Sequence, residues 1–167
     1  SGNEAQPEFA GLGEAIEYAV KMRQFQPNNT FDHLLLDGLL NGDHIKQTAT
    51  IVADFHTQLP SASANTLFGN PVSILVPVQE NFSQIEQLGD LAQSNTLEPL
   101  KLWSARQHAE LLSIFTQRKQ EGFIRECHGD LHLGNLALID DRVVPFDGIE
   151  FNPALYWIDV ISEVAFL

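Results

Sequence analysis

Two short apolar segments around a pair of aspartates constrain the fold of this chain most strongly. Residues 136–139 and 142–146 are rich in β-branched, aromatic and aliphatic side chains, and Asp140-Asp141 separates them. Segments of this kind joined by a tight polar turn are typical of a β-hairpin. Because stripes of apolar residues at helical spacing precede the hairpin, the sequence predicts an α+β protein that is mostly helical.

The helical stripes predict several helices before the hairpin. Thr30 is expected to cap a helix that carries the leucines of residues 34–40, and Asp43 to cap a second helix that stops before Pro60. Residues 60–73 are rich in Ser, Ala, Asn and Gly, which predicts a loop. Further helices are expected over 82–91 and 98–120. We interpret all these stripes as core.

The two ends of the chain carry weaker patterns. Residues 16–22 are rich in β-formers and predict a strand. After Pro153 the apolar spacing predicts a helix that is still running at Leu167. A chain that stops inside an amphipathic helix is expected to be truncated at its C-terminus.

The charge of the chain limits its partners. Nine Lys and Arg residues stand against 22 Asp and Glu residues, a net charge of −13. A chain this acidic repels a phosphate backbone, so we expect no nucleic-acid partner. The charge suits a cationic ligand, or an anion accompanied by Mg²⁺, although solubility alone would also explain it. No apolar run approaches the ~18 residues of a membrane helix, so we expect no membrane partner.

A single cysteine, Cys127, excludes an internal disulfide and a cysteine-based zinc site. Nothing at the N-terminus combines a basic region with an apolar stretch, as a signal peptide would. Both features favour a cytoplasmic location.

Polar residues flank the predicted hairpin and form the pattern that carries chemistry. The pattern is His128-x-Asp130-x4-Asn135, followed by Asp147 twelve residues after the asparagine. Antiparallel strands place their outer ends side by side, so Asn135 and Asp147 are expected to converge.

Phosphoryl transfer requires these residue types in this order. Its catalysis depends on positioning and charge neutralisation, with an aspartate that orients the attacking hydroxyl. Mg²⁺ prefers oxygen ligands, which asparagine and aspartate supply. Asp130 therefore matches the hydroxyl-orienting role, while Asn135 and Asp147 match the metal ligands.

Residues 128–135, His-Gly-Asp-Leu-His-Leu-Gly-Asn, resemble the catalytic loop of the aminoglycoside phosphotransferase family, within the protein-kinase-like superfamily. Residues 144–150 resemble the metal-binding segment that replaces the Asp-Phe-Gly motif of protein kinases. Residues 156–160 resemble the downstream Asp-Leu-Ala segment. The specific resemblance covers 125–167, and the earlier helices fit a kinase large lobe generically.

The resemblance implies an enzyme that uses ATP and Mg²⁺ to phosphorylate a hydroxyl of a small molecule, with an aminoglycoside-like or other cationic acceptor among the candidates. Asp130 would be the catalytic base, and Asn135 and Asp147 would bind Mg²⁺ and, through it, the nucleotide. His128 would hold the catalytic loop. Asp159 would brace that loop as structural support.

The resemblance also divides the chain into parts of one partial domain. Residues 15–26 would be the last small-lobe strand and the hinge, with Met22 and Arg23 beside the nucleotide, and 30–167 the kinase-like large lobe. Lys21 would be an exposed strand lysine, or alternatively the lysine that pairs with the nucleotide phosphates.

Most of the small lobe would then lie outside this chain, and the fragment is expected to be inactive alone. Some relatives join such a lobe to a P-loop ATPase domain, but the chain contains no G-x4-G-K-[ST] motif. An apolar face left uncovered by the small lobe would favour dimerisation.

Other residues near the motif leave alternatives open. His132 and Glu150 are candidates for the substrate side, although loop packing and simple solvation are competing interpretations. His128 and His132 could form a metal pair on a helix, but the neighbouring glycines favour a loop. Gly129-Asp130-Leu131-His132 also resembles a metallophosphoesterase motif whose other ligand clusters are missing. Cys127 is interpreted as a small buried residue.

A rival function of another class is a non-catalytic nucleotide-binding, regulatory or interaction module with a kinase-like fold. The intact Asp130, Asn135 and Asp147 argue against a site that has lost its activity, and the missing small lobe argues for inactivity of this piece.

Overall fold

Helices and small antiparallel sheets make up the fold, which a computed structural model describes for residues 2–3, 5–9, 11–18, 21, 24–88 and 97–167. The class is α+β, as the sequence predicts, and about half of the chain is helical. The helices are α1 (Phe31–Leu36), α2 (Gly42–Gln58), α3 (Pro71–Gln87), α4 (Leu97–Gln120), α5 (Pro153–Tyr156) and α6 (Val160–Phe166). The strands are β1 (Gly2–Asn3), β2 (Gln6–Pro7), β3 (Ile124–Glu126), β4 (Leu136–Ile139), β5 (Arg142–Pro145) and β6 (Trp157–Asp159).

The predicted hairpin is confirmed as β4 and β5. Its register pairs Leu136 with Pro145 and Ile139 with Arg142. Asp140 and Asp141 form the turn with φ values of 49° and 59°. Two consecutive positive φ values fit the right-handed twist of a hairpin, and aspartate tolerates them better than most residues.

The continuous helix expected after Pro153 is wrong, because β6 interrupts it. The segment Trp157–Asp159 pairs antiparallel with β3, placing Trp157 opposite Glu126 and Asp159 opposite Ile124. A short apolar run fits a strand or a helix equally well, and here long-range pairing decides. The pairing fixes the chain just before the candidate catalytic loop.

The first predicted helix is shorter than its leucines suggest. α1 ends at Leu36, and the N–H groups of Gly38 and Leu39 donate to the carbonyls of Leu35 and Leu34 at 3.1 and 2.8 Å. This crossed pair of bonds, with Gly38 at φ 68°, is a Schellman C-cap. Leu40 therefore lies outside the helix.

α2 begins earlier in the chain than predicted. Asn41, not Asp43, is the N-cap, and its side chain accepts hydrogen bonds from the N–H groups of Asp43 and His44. The helix ends before Pro60, as expected. At that end the Arg125 guanidinium donates to the carbonyl oxygens of His56 and Leu59 at 2.9 and 2.8 Å.

α3 and α4 follow. The loop expected over 60–73 ends at Asn70, because Pro71 starts α3, and the helix expected from Phe82 therefore begins earlier. Residues 89–96 lie outside the described part. α4 closely matches its prediction. The buried Lys119 of α4 donates to the Thr66 carbonyl and to Asn70 Oδ1, which fastens the loop.

The strand expected over 16–22 is not found in its described residues. Residues 16–18 and Lys21 have no strand structure, and Lys21 is exposed. A strand needs a neighbour for its backbone groups, and no described residue pairs with this segment. Met22 and Arg23 lie outside the described residues.

The core lies between α1, α2 and the hairpin. It consists of the buried side chains of Phe31, Leu34, Val52, Leu131, Leu136 and Val143. Leu131 belongs to the candidate catalytic loop, so burial of this one side chain anchors the loop to the core. Among the described residues, no helix has the length and apolar character that a membrane crossing requires.

Candidate functional site

The open end of the hairpin brings the predicted metal ligands together along the backbone. Phe146 N–H donates to the Asn135 carbonyl at 3.0 Å, which extends the β4–β5 ladder by one pair. Asp147 directly follows Phe146, and the 3₁₀ turn Leu133–Asn135 directly precedes β4. The hairpin therefore positions Asn135 beside the segment that carries Asp147.

Asp147 has an unusual backbone conformation. Its φ is 63°, and its side chain is exposed. A residue other than glycine rarely adopts this left-handed region, and such strain is concentrated at functional sites. The conformation turns the chain away from the strand and leaves the carboxylate open to a ligand.

Asn135 is buried, and its two amide atoms have different surroundings. Nδ2 donates to the Asp130 carbonyl at 2.9 Å and to the Asp130 Oδ2 at 3.1 Å. Among the described residues, none donates to the Oδ1 atom, although only 7% of the residue is exposed. A buried amide oxygen without a donor is costly, and a cation would satisfy it.

His128 links the catalytic loop to the segment before Asp147. Its Nε2 lies 2.8 Å from the Phe146 carbonyl, and its Nδ1 accepts from Asp130 N–H at 3.3 Å. A carbonyl can only accept and an amide can only donate, so the ring is the neutral Nε2–H form. Ile149 N–H also donates to the His128 carbonyl at 2.9 Å. His128 thus holds the loop.

His132 lies close to Asp130. The Nε2 of His132 lies 3.6 Å from Asp130 Oδ2, and its Nδ1 accepts from Gly134 N–H at 3.0 Å. The ring stays half-exposed, so it borders the space in front of Asp130. Glu150 is exposed three residues after Asp147. Since both ring nitrogens of His128 are engaged, His128 and His132 do not form a metal pair.

Asp159 does not make the loop contact that was expected of it. Its carboxylate accepts both hydrogen bonds of a bidentate pair from Arg118, at 2.6 and 2.7 Å, and one from Ile161 N–H. Hydrogen bonding to Asp159 raises the pKa of the Arg118 guanidinium. Asp159 therefore supports the junction between β6, α6 and α4 rather than the loop.

Glu163 makes the loop contact instead. This fully buried carboxylate accepts from Gly129 N–H at 2.8 Å and lies 2.6 Å from Nε2 of His56. The sequence analysis missed both residues. A usable signal exists, because Glu163 interrupts the apolar run of α6 and His56 continues the Val52 stripe of α2.

Cys127 is buried, as the sequence analysis expected. Its thiol donates to the Ile158 carbonyl at 3.7 Å. Burial, with the nearby carboxylates of Glu163 and Asp159, raises the pKa of Cys127 to about 12. The thiol therefore keeps its proton at neutral pH and is a poor nucleophile.

Two apolar cavities lie behind the candidate site. One of about 520 Å³ is bordered by α2, Leu133 and Val164, and one of about 300 Å³ by α2, His128 and Pro145. Asp130, Asn135 and Asp147 line neither cavity. Of the two candidate ligands, Asp147 is exposed, whereas Asn135 is buried.

Comparison of the chain with protein-family models, curated proteins and solved structures finds no match. The donor set of Asn135 Oδ1 and the Asp147 carboxylate fits a hard cation such as Mg²⁺ by its chemistry.

Proposed function

We propose that the chain carries the catalytic loop and metal ligands of an ATP- and Mg²⁺-dependent phosphotransferase with a kinase-like large lobe. The observation that carries this proposal is the buried Asn135. Its Nδ2 orients Asp130 while its Oδ1 has no donor among the described residues. One side chain thus links the hydroxyl-orienting aspartate to a site for a cation.

Asp130 suits the acceptor side of the reaction. Its side chain is 40% exposed, so an acceptor hydroxyl can approach the carboxylate. The hydroxyl oxygen bonds to the γ-phosphorus as the bond to ADP breaks, and Asp130 takes the hydroxyl proton. Mg²⁺ bound by Asn135 and Asp147 would neutralise charge on the phosphates.

The predicted hinge lies near the metal-binding segment. The rings of Phe25 and Phe146 meet edge to face with centroids 5.0 Å apart. Phe146 directly precedes Asp147, so the chain just before α1 runs beside the proposed nucleotide site. This supports a hinge at the end of 15–26, the segment proposed as the last small-lobe strand and the hinge, although the expected strand is missing from its described residues.

The acceptor is proposed to be a small molecule with a hydroxyl group and a cationic centre. The acidic balance of −13 favours such a ligand. The half-exposed His132 and the exposed Glu150 are the proposed contacts on this side.

Calorimetric titration with ATP, with and without Mg²⁺, tests the proposal. We expect binding that requires Mg²⁺ and is lost in Asp147→Asn. Asp141→Asn is the matched control, since Asp141 is also an exposed aspartate with φ near 60°. Asparagine tolerates this conformation, so both variants should fold. Equal Mg²⁺-dependent affinity in both variants would remove Asp147 as a ligand.

Phosphoryl transfer from labelled ATP to a panel of amino-alcohols separates the two functional classes. Transfer supports the enzyme, whereas Mg²⁺-dependent ATP binding without transfer, in a chain extended at both ends, supports the non-catalytic nucleotide-binding module.

A further inference from the structure

The buried pair of His56 and Glu163 joins three distant parts of the chain: α2, α6 and the candidate catalytic loop. His56 lies near the end of α2, and Glu163 lies in α6. Both residues are buried, and His56 Nε2 lies 2.6 Å from Glu163 Oε2. At this distance the imidazole and the carboxylate form a hydrogen bond.

The second oxygen of Glu163 binds the candidate catalytic loop. Oε1 accepts from Gly129 N–H at 2.8 Å, so each carboxylate oxygen has one partner. A buried carboxylate without partners would be costly, and these two bonds compensate for its burial. The loop contact and the helix contact therefore depend on the same group.

Gly129 transmits this contact to Asp130. Its φ is 83°, and an added Cβ would lie 2.9 Å from the Leu155 carbonyl and 3.1 Å from the Tyr156 side chain. The peptide is thus fixed by α5 on one side and by Glu163 on the other. Asp130 is the next residue, so confining the backbone at Gly129 restricts where Asp130 can place its carboxylate.

We propose that His56 and Glu163 are positioning residues, a buried relay that holds Gly129 and thereby aims Asp130. Through His56, the relay connects α2 to the candidate catalytic loop. Its catalytic consequence rests on the proposed function, whereas its structural consequence can be measured without nucleotide.

A metal site built on the same residues is the competing interpretation. Cys127 Sγ lies within 4.8 Å of donor atoms of His56 and Glu163, and all three residues are buried. The 2.6 Å separation of His56 and Glu163 is a hydrogen-bond distance, and the Cys127 thiol already donates to the Ile158 carbonyl. His56, Glu163 and Cys127 therefore each already have a hydrogen-bond partner within the protein, which favours the relay over a metal site.

Amide hydrogen exchange tests the relay in the chain alone. We expect Gly129 N–H to be protected in the unmodified protein, and to exchange about tenfold faster relative to the Cys127 amide in Glu163→Ala. The Cys127 amide is the internal reference because it donates to the Tyr156 carbonyl at 2.7 Å. Glu163→Gln, which keeps an acceptor for Gly129, is expected to retain most of the protection.

Asp159→Asn is the matched control variant, because it weakens an ion pair of α6 that does not contact the loop. We expect its Gly129-to-Cys127 exchange ratio to equal that of the unmodified chain. An unprotected Gly129 amide in the unmodified chain would overturn the relay even if Glu163→Ala failed to fold. Tight binding of one Co²⁺ with a thiolate absorption band would also overturn it in favour of the metal site.

The catalytic part of the inference has its own readout. Glu163→Ala should lower kcat for phosphoryl transfer about 100-fold with the KM for ATP nearly unchanged, while Glu163→Gln keeps most of the rate. These rates are measured in a chain extended at both ends. Absence of transfer in that extended chain would overturn the proposed function and not the relay measured by exchange. An unchanged kcat in Glu163→Ala would overturn the positioning role alone.

Discussion

The amide group of Asn135 donates to both the carbonyl and the carboxylate of Asp130, at 2.9 and 3.1 Å. These two hydrogen bonds span the five-residue spacing of the motif and close the segment between Asp130 and Asn135 into a loop. Since Asn135 also starts the hairpin, the same residue ties the loop to the strand that leads towards Asp147. The geometry explains why a motif of this order can assemble a site from a single stretch of chain.

In a chain extended at both ends, replacing Asp130 by Asn should abolish most phosphoryl transfer. An amide cannot take the hydroxyl proton, and loss of a general base lowers kcat by about 10²–10⁴-fold. The new side chain still offers an oxygen to Asn135, so the fold and the affinity for ATP with Mg²⁺ should stay nearly unchanged. Steady-state kinetics and calorimetry check both parts. Transfer at the original rate would remove Asp130 from the mechanism.

Replacing Gly129 by Ala should destabilise the protein more than replacing Gly38 by Ala. Both glycines have positive φ, 83° and 68°, so both variants bear the left-handed strain of about 1–2 kcal/mol. At Gly38 nothing lies within 4 Å of an added Cβ, whereas at Gly129 the Leu155 carbonyl lies at 2.9 Å. Urea unfolding should show the difference, and equal losses would contradict the close approach of the loop to α5.

Local patterns in the sequence sufficed for the hairpin and for α4. The hairpin has two short apolar runs and a turn that accepts positive φ, and α4 has a long helical stripe, so each is specified by neighbours in the chain. The end of α1 was missed although Gly38 marks it, because the leucines beyond it continue the stripe. Here a glycine C-cap outweighs apolar periodicity.

Long-range pairing accounts for what the sequence analysis missed. β6 becomes a strand only because β3 is there to pair with it. Arg118 looks like an ordinary surface charge in sequence, and Glu163 is marked only by its interruption of an apolar run. The roles of Glu163 and Arg118 depend on partners 34 and 41 positions away. The candidate site was predictable where it lies within 128–147, and its support was not.

Replacing Asp159 by Asn should lower the free energy of unfolding by about 2 kcal/mol, since hydrogen bonds to charged groups contribute about 1.5–3 kcal/mol. The Asp159 side chain is only 12% exposed, and Arg118 would lose its charged partner. Glu110→Gln is the control, because its ion pair with Arg106 is exposed and 3.7 Å long, and it should cost less than about 0.5 kcal/mol. Similar losses in urea unfolding would contradict a structural role for Asp159.

Cys127 should make the protein sensitive to alkali. Its pKa rises from 9.0 to about 12 on folding, chiefly because the thiol is buried. Between these pH values the unfolded chain releases a proton that the folded chain keeps, so the free energy of unfolding falls as pH rises. In Cys127→Ser the hydroxyl does not titrate, and its hydrogen can still reach the Ile158 carbonyl. Urea unfolding below and within this window should show a steeper loss in the unmodified chain, and parallel pH profiles would contradict burial of the thiol.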